Sequence, residues 1–205
     1  MTTRHYFRPG EHRPFLAHDP FSAIIGPRPI GWISSVSPSG VVNLAPYSFF
    51  NAFSYKPPII GFASVGWKDT VANISESREF GWSLATQPLA EAMNTTSTMA
   101  DAEVDEFELA GLEKAQAREI AVPLVAASPV SFECRLTQIL RLEGASGEPT
   151  DSWMVFGEVI GIHISPETVV DGGYVTCLGR PILRAGGPGD YFKLDEANRF
   201  VMLRP

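Results

Sequence analysis

Apolar and polar residues alternate with a period of two in several short stretches, and strand signals outnumber helical ones along the chain. Ile30, Trp32, Ser34 and Val36 alternate with Gly31, Ile33 and Ser35; Ser37-Pro38-Ser39-Gly40 supplies turn chemistry, and Val41-Val42 restarts a strand. Pro57-Pro58 bars a helix, so residues 59–65 read as a short buried strand, and 80–86 as another. The two longest predicted strands are 130–143 and 153–165, joined by a hairpin-like loop at 144–151. Lys68-Asp69-Thr70 opens a helix predicted to run to about Arg78, capped by Asp69 or Thr70, with Val71, Ile74 and Ser75 on one side. Pro88 starts a second helix over 89–94. The run from Asp101 to Glu108 has five acids in eight residues and reads as a solvated face. Residues 167–171 fit a helical turn, and Gly186-Gly187-Pro188-Gly189 a turn before a last strand near 191–194.

No linker divides the chain and no repeat of 20–50 residues is visible. The pattern predicts a mainly β protein with peripheral helices: one antiparallel barrel over residues 21–205, preceded by a polar arm over 1–20 with Pro9-Gly10 and Pro14. Composition narrows this further. The 18 glycines and 17 prolines disfavour a helix bundle or coiled coil, and 44% apolar with 19% charged residues argues against disorder. A net charge of −7 argues against nucleic acid as a partner, while leaving room for a local site for one small anion. Residues 1–10 hold Arg4, His5 and Arg8 but no apolar signal core. The longest nearly apolar run, 57–67, is about half what a bilayer crossing needs. A soluble, cytoplasmic protein without a membrane partner is expected.

Cys134 and Cys177 have no metal or redox spacing, and Cys134 falls on the apolar phase of its strand, which predicts buried packing. His5, His12 and His18 lie in the arm and read as solvated; no metal site is expected. His163, in phase with Val159 and Gly161, reads as a hydrogen-bonded structural histidine. Nucleophile-elbow, Walker and dinucleotide-loop signatures are absent, so no catalytic residue is assigned. What remains is a cluster between 34 and 70. Ser34, Ser35, Asn43, Ser48, Asn51 and Ser64 supply short donors and acceptors, and Trp32, Tyr47, Phe49, Phe50 and Phe53 supply flat apolar surface. Lys68, Asp69 and Thr70 put an ammonium, a cap and a hydroxyl at a helix start, a setting that favours a phosphate dianion. A planar, polar-edged ring with a phosphate tail would use both parts.

Gly26-Pro27-Arg28-Pro29-Ile30-Gly31-Trp32-Ile33-Ser34-Ser35, Asn43-Leu44-Ala45-Pro46-Tyr47-Ser48-Phe49-Phe50-Asn51, Pro57-Pro58 and Lys68-Asp69-Thr70 resemble the flavin reductase-like family with its FMN-binding split barrel. Glu133-Cys134-Arg135-Leu136, Phe156-Gly157-Glu158-Val159 and Gly189-Asp190-Tyr191 are similar in kind and order, so the resemblance covers about 20–195. It implies a Greek-key antiparallel barrel, a homodimer and one FMN per subunit near the dimer interface. Position by position, Ser34 and Ser35 would meet the flavin or its ribityl chain. Ser48, Phe49, Phe50, Asn51 and Ala52 would line the ring, and Ser64, Lys68, Asp69 and Thr70 would hold ribityl and phosphate. Ser34-Ser35 stands where the family has Ser-Thr, losing a methyl contact. Arg28 is left with two readings, an anion contact or a salt bridge beside the Pro-Arg-Pro turn. Residues 101–112 and 115–128 carry no placeable motif and are candidates to shape the substrate side.

The activity implied is an NAD(P)H-dependent flavin oxidoreductase, with NADH or NADPH as donor and a second small-molecule acceptor. Such chemistry needs positioning and water exclusion rather than a protein nucleophile. The alternative is an FMN-containing electron carrier or flavin-binding protein with no nicotinamide site.

Overall fold

The computed structural model describes residues 4–11 and 15–204, so His12 and Pro14 of the predicted arm lie outside the described residues. After the short helix α1 (Phe21–Ile24) come β1 (Gly31–Val36), β2 (Val42–Tyr47), β3 (Phe50–Tyr55), β4 (Pro58–Val65), helix α2 (Asp69–Ser77) and β5 (Glu79–Ser83). Helices α3 (Ala90–Thr95) and α4 (Glu106–Leu109) precede the two-residue strands β6 (Lys114–Ala115) and β7 (Leu124–Val125). The long strands β8 (Val130–Glu143) and β9 (Pro149–Ile164) follow, then the hairpins β10 (Val169–Val170) with β11 (Gly173–Tyr174) and β12 (Ile182–Arg184) with β13 (Tyr191–Lys193). None of the described helices is long and apolar enough to cross a membrane.

Seven strands form one antiparallel sheet in the order β2-β1-β5-β8-β9-β4-β3. Its two edge strands, β2 and β3, are consecutive in sequence and joined only by Ser48 and Phe49. Six inter-strand spacings would set those edges about 29 Å apart in a flat sheet. The step from Tyr47 to Phe50 spans at most about 11 Å, so the sheet has to curl until its edges meet. It is a mainly β, Greek-key split barrel of the kind the sequence predicts.

The barrel interior is apolar. Ile33, Phe62, Phe80, Cys134 and Val155 are fully buried there, with Val71 and Ile74 of α2 packed among them. Burial pushes the Cys134 thiol up, beyond reactive range, with the Glu133 charge adding to the effect. A second cluster joins Trp32, Leu44, Met93, Phe107, Val125 and Ile182. Successive residues of β1 thus pack on opposite sides, Ile33 inward and Trp32 outward, and both faces of this strand are covered.

Two local expectations are corrected. Residues 167–171 do not form a helical turn; a 3-10 turn over Pro166–Thr168 leads into the β10–β11 hairpin. Asp171 and Gly172 both have positive φ (49° and 77°), the conformation a tight two-residue hairpin requires, and Asp-Gly supplies it. The Asp101–Glu108 run is not uniformly solvated. Asp105 caps α4 by accepting from the N–H groups of Phe107 and Glu108, and Glu106 and Phe107 turn inward.

Candidate functional site

The end of β2 and the start of α2 face each other across a cavity of about 260 Å³. Lys68, Asp69 and Thr70 form one wall, Asn43 and Tyr47 of β2 another, and Thr96, Ser97 and Thr98, just past α3, a third. Glu106 of α4 closes it. Chain direction explains the wall at α2: β4 ends at Val65, Gly66 turns with φ 86°, and the helix starts three residues later. Lys68, at the N-cap, makes no side-chain cap hydrogen bond, so the first turn of α2 keeps backbone N–H groups unmatched by a capping oxygen.

Beneath the cavity lies a buried polar network. Glu106, 6% exposed, accepts at Oε2 from Asn43 Nδ2 (3.1 Å) and from the Leu44 N–H (2.9 Å). Asn43 Oδ1 in turn accepts from Thr70 Oγ1 (2.6 Å) and Ser35 Oγ (3.3 Å), and Asn73 Nδ2 donates to Ser35. Burial raises the Glu106 carboxyl above the usual carboxylate range, against the opposing pull of the Leu44 and Glu106 N–H groups and Asn43. Burial likewise raises the Tyr47 hydroxyl, beside Thr70 and Ser64.

Of the residues the sequence singles out, the structure brings Lys68, Asp69 and Thr70 to the cavity. Thr70 is buried with its hydroxyl proton committed to Asn43, so a ligand meets its oxygen or backbone rather than a free O–H donor. Ser48 and Phe49 form the barrel's crossover; Arg28 Nε donates to the Ser48 carbonyl (3.0 Å) and its guanidinium lies 5.4 Å from the Phe49 ring centre. Phe50 stacks on Trp82 as part of the core, with ring centres 5.7 Å apart. Asn51 and Ala52 are exposed on β3, where the Ala52 N–H donates to Asn51 Oδ1.

Ser34, Ser35 and Ser64 do not reach the cavity surface. Ser34 points away from it, donating to the Pro123 carbonyl (2.6 Å). Ser35 is spent on Asn43, and Ser64 donates to the Gly66 carbonyl. Sequence reasoning misses Glu106, whose only signal is an acid beside an apolar Phe107 inside an acidic run. It also misses the hydroxyl run Thr96-Ser97-Thr98, which nothing but its position after a helix marks out.

A larger cavity, about 600 Å³, shares no lining residue with the first and is polar, with Arg118, Glu119, Glu133 and His163 on its walls. Glu133, 1% exposed, accepts from the N–H groups of Arg118, Glu119 and Ile120 and faces His163 Nε2. The 115–128 stretch is stapled to the barrel at these points, and also where Ala121 N–H meets Glu79 and Pro123 meets Ser34.

The flavin reductase like domain model matches residues 26–176. A protein of Halalkalibacterium halodurans is 34% identical over 181 residues, covering 83% of this chain and 86% of its own length. Nitrilotriacetate monooxygenase component B from Bacillus cereus superposes with a TM-score of 0.88 at 29% identity, over 98% of this chain and 100% of that one. A split barrel domain protein of Shewanella frigidimarina, at 20% identity and a TM-score of 0.78, covers 89% of this chain and 90% of its own; it shares the fold.

Proposed function

The chain belongs to the flavin reductase-like family, and from that premise we propose that it is an FMN-dependent oxidoreductase that takes hydride from NADH or NADPH and passes electrons to a second small molecule. The observation that carries this reading is the Lys68–Thr70 wall, which sets an ammonium and open helix N–H groups across the cavity from Asn43 and Tyr47, the latter one residue before the Ser48–Phe49 crossover. That donor set fits a phosphorylated flavin. Lys68, the first turn of α2 and the Thr98 hydroxyl would hold phosphate and ribityl. Ser48, Phe49, Asn51 and Ala52 would line the ring.

The chemistry such a cofactor supplies is two-electron transfer between a reduced nicotinamide and an acceptor. The chain's own part is positioning. Arg28 fixes the Ser48 carbonyl, Glu106 and Asn43 fix Thr70, and Phe50 against Trp82 anchors β3 to the core. We further infer a homodimer in the cytoplasm. Phe53 and Tyr55 of β3 and Ile162 and Ile164 of β9 are 46–95% exposed, an apolar surface that a second copy would cover. Sedimentation at micromolar concentration reading a monomer would remove the dimer.

The deciding experiment is anaerobic addition of NADH or NADPH to the flavin-loaded protein. Rapid bleaching of the flavin absorbance supports the reductase. A flavin that binds but is bleached by neither favours the electron-carrier alternative.

A further inference from the structure

Arg28 and Arg184 face each other across a backbone bridge. The Arg28 N–H donates to the Arg184 carbonyl at 2.9 Å and the Arg184 N–H donates back at 2.8 Å. Residues that exchange both hydrogen bonds in an antiparallel pair stand directly opposite and send their side chains to the same face. The two arginine side chains therefore start from the same face, directly opposite each other, where like charges cost stability. Among the described residues, no carboxylate pairs with either. Burial and then the charge of Arg184 hold the Arg28 guanidinium below its ordinary range.

The partners they do have are neutral. Arg28 donates to the carbonyls of Ser48 and Ser22, and Arg184 to those of Gly187, Pro188 and Asp190. An arginine has five N–H donors, so each keeps donors in hand. Each guanidinium is also backed by an aromatic ring, Arg28 by Phe49 at 5.4 Å and Arg184 by Tyr191 at 5.0 Å, and both rings are 40% exposed. Carbonyls fix the two forks but leave their charge uncompensated, next to the crossover proposed to line the flavin ring.

We propose that Arg28 and Arg184 form an oxyanion-binding pair that takes the phosphate or carboxylate group of the molecule exchanging electrons with the flavin. Planar oxyanions match the guanidinium fork, and the flanking rings suit an anion borne on an organic body. Occupancy also relieves the repulsion between the two charges. This assignment rests on the flavin reading above, which supplies the redox partner.

The test is thermal melting of FMN-saturated protein in inorganic pyrophosphate or in benzoate, each against sodium chloride of matched ionic strength. At an anion concentration a hundredfold above its Kd, one or both should raise Tm by about 5–10 °C in the wild type. Arg184→Gln should lose that increment, and Lys68→Ala should keep it. A response to pyrophosphate alone identifies a phosphate ligand, and to benzoate alone a carboxylate. No increment over chloride in the wild type, or a full increment in Arg184→Gln, overturns the pair. Calorimetric titration of the wild type reads the site without a variant: one anion bound per chain beside the flavin is expected, and none overturns it. A flavin spectrum that does not change on mixing FMN with the protein would instead count against the cofactor reading.

Discussion

His163 Nε2 lies 2.6 Å from Oε1 of Glu133, a carboxylate that is 1% exposed and also receives three consecutive backbone N–H groups from residues 118–120. A buried charge is tolerated when all of its acceptor sites are matched. The pair therefore fastens the 115–128 stretch to β8 and β9, the structural role the strand phase of His163 predicts.

That arrangement sets a pH dependence. Burial alone would raise the Glu133 carboxyl, but the Arg118 N–H, the His163 imidazole and the Glu119 N–H outweigh it and the net shift is downward. A group whose pKa is lower folded than unfolded adds stability above its unfolded value, near 4.3, and loses it as pH falls through the folded value. Melting followed from pH 7 to pH 3 should show a steep acid loss in the wild type that Glu133→Gln lacks. Equal acid slopes would rule the carboxylate out as the source.

His163→Asn should lower Tm while leaving the flavin reduction rate within about threefold, because removing one of four donors costs about 1–3 kcal/mol of stability. A rate loss of about a hundredfold with the fold intact would give His163 a direct part in the chemistry.

Gly157 illustrates a packing limit on β9. A Cβ built there would stand 2.3 Å from the Phe80 ring, which is fully buried. Gly157→Ala should therefore destabilise by about 1–3 kcal/mol, seen as a lower denaturant midpoint at unchanged slope. An unchanged midpoint would mean the Phe80 ring has room to move.

Strand reading works where one residue in two faces an apolar interior. The predicted 130–143 strand coincides with β8, and Cys134 is buried as its phase requires. It fails on β3, where Phe50, Phe53 and Tyr55 offer aromatics without alternation and a bulge between Ala52 and Ser54 breaks the register. The Lys68–Thr70 wall is legible because its residues are adjacent in sequence. Glu106 is not: it reaches Asn43 from 63 positions away, and nothing local separates a buried acid from its exposed neighbours.

Glu106 gives the fourth prediction. Its carboxyl is raised by burial, so the fold favours the neutral form more than the unfolded chain does. Stability linked to it is complete below the unfolded value and falls as pH rises through the folded one. Glu106→Gln keeps an oxygen able to accept from Asn43 and Leu44 and cannot ionise. Its Tm should exceed that of the wild type by a margin that widens from pH 4 to pH 8. With a phosphate in the cavity, removing the negative charge should also tighten FMN about three- to tenfold at pH 8 and leave riboflavin unchanged. A margin that does not change with pH would show that Glu106 keeps one protonation state throughout.

Lys68 separates phosphate recognition from ring recognition. Its ammonium is exposed at the mouth of the cavity, so a contact with a phosphate is worth the low end of the charge-assisted range, and Lys68→Ala should weaken FMN about tenfold. Riboflavin carries the same ring and ribityl chain without the phosphate, and its affinity should stay the same. Thr70→Ala serves as the contrast. Its hydroxyl is committed to Asn43, so the variant should lose stability first and weaken both flavins alike. Raising the salt concentration should erode the FMN advantage of the wild type and barely touch Lys68→Ala, since screening acts on the charge that variant lacks. Titrating both flavins into the three apo-proteins at two salt concentrations decides the matter. Equal losses for FMN and riboflavin in Lys68→Ala would move the phosphate to another part of the molecule.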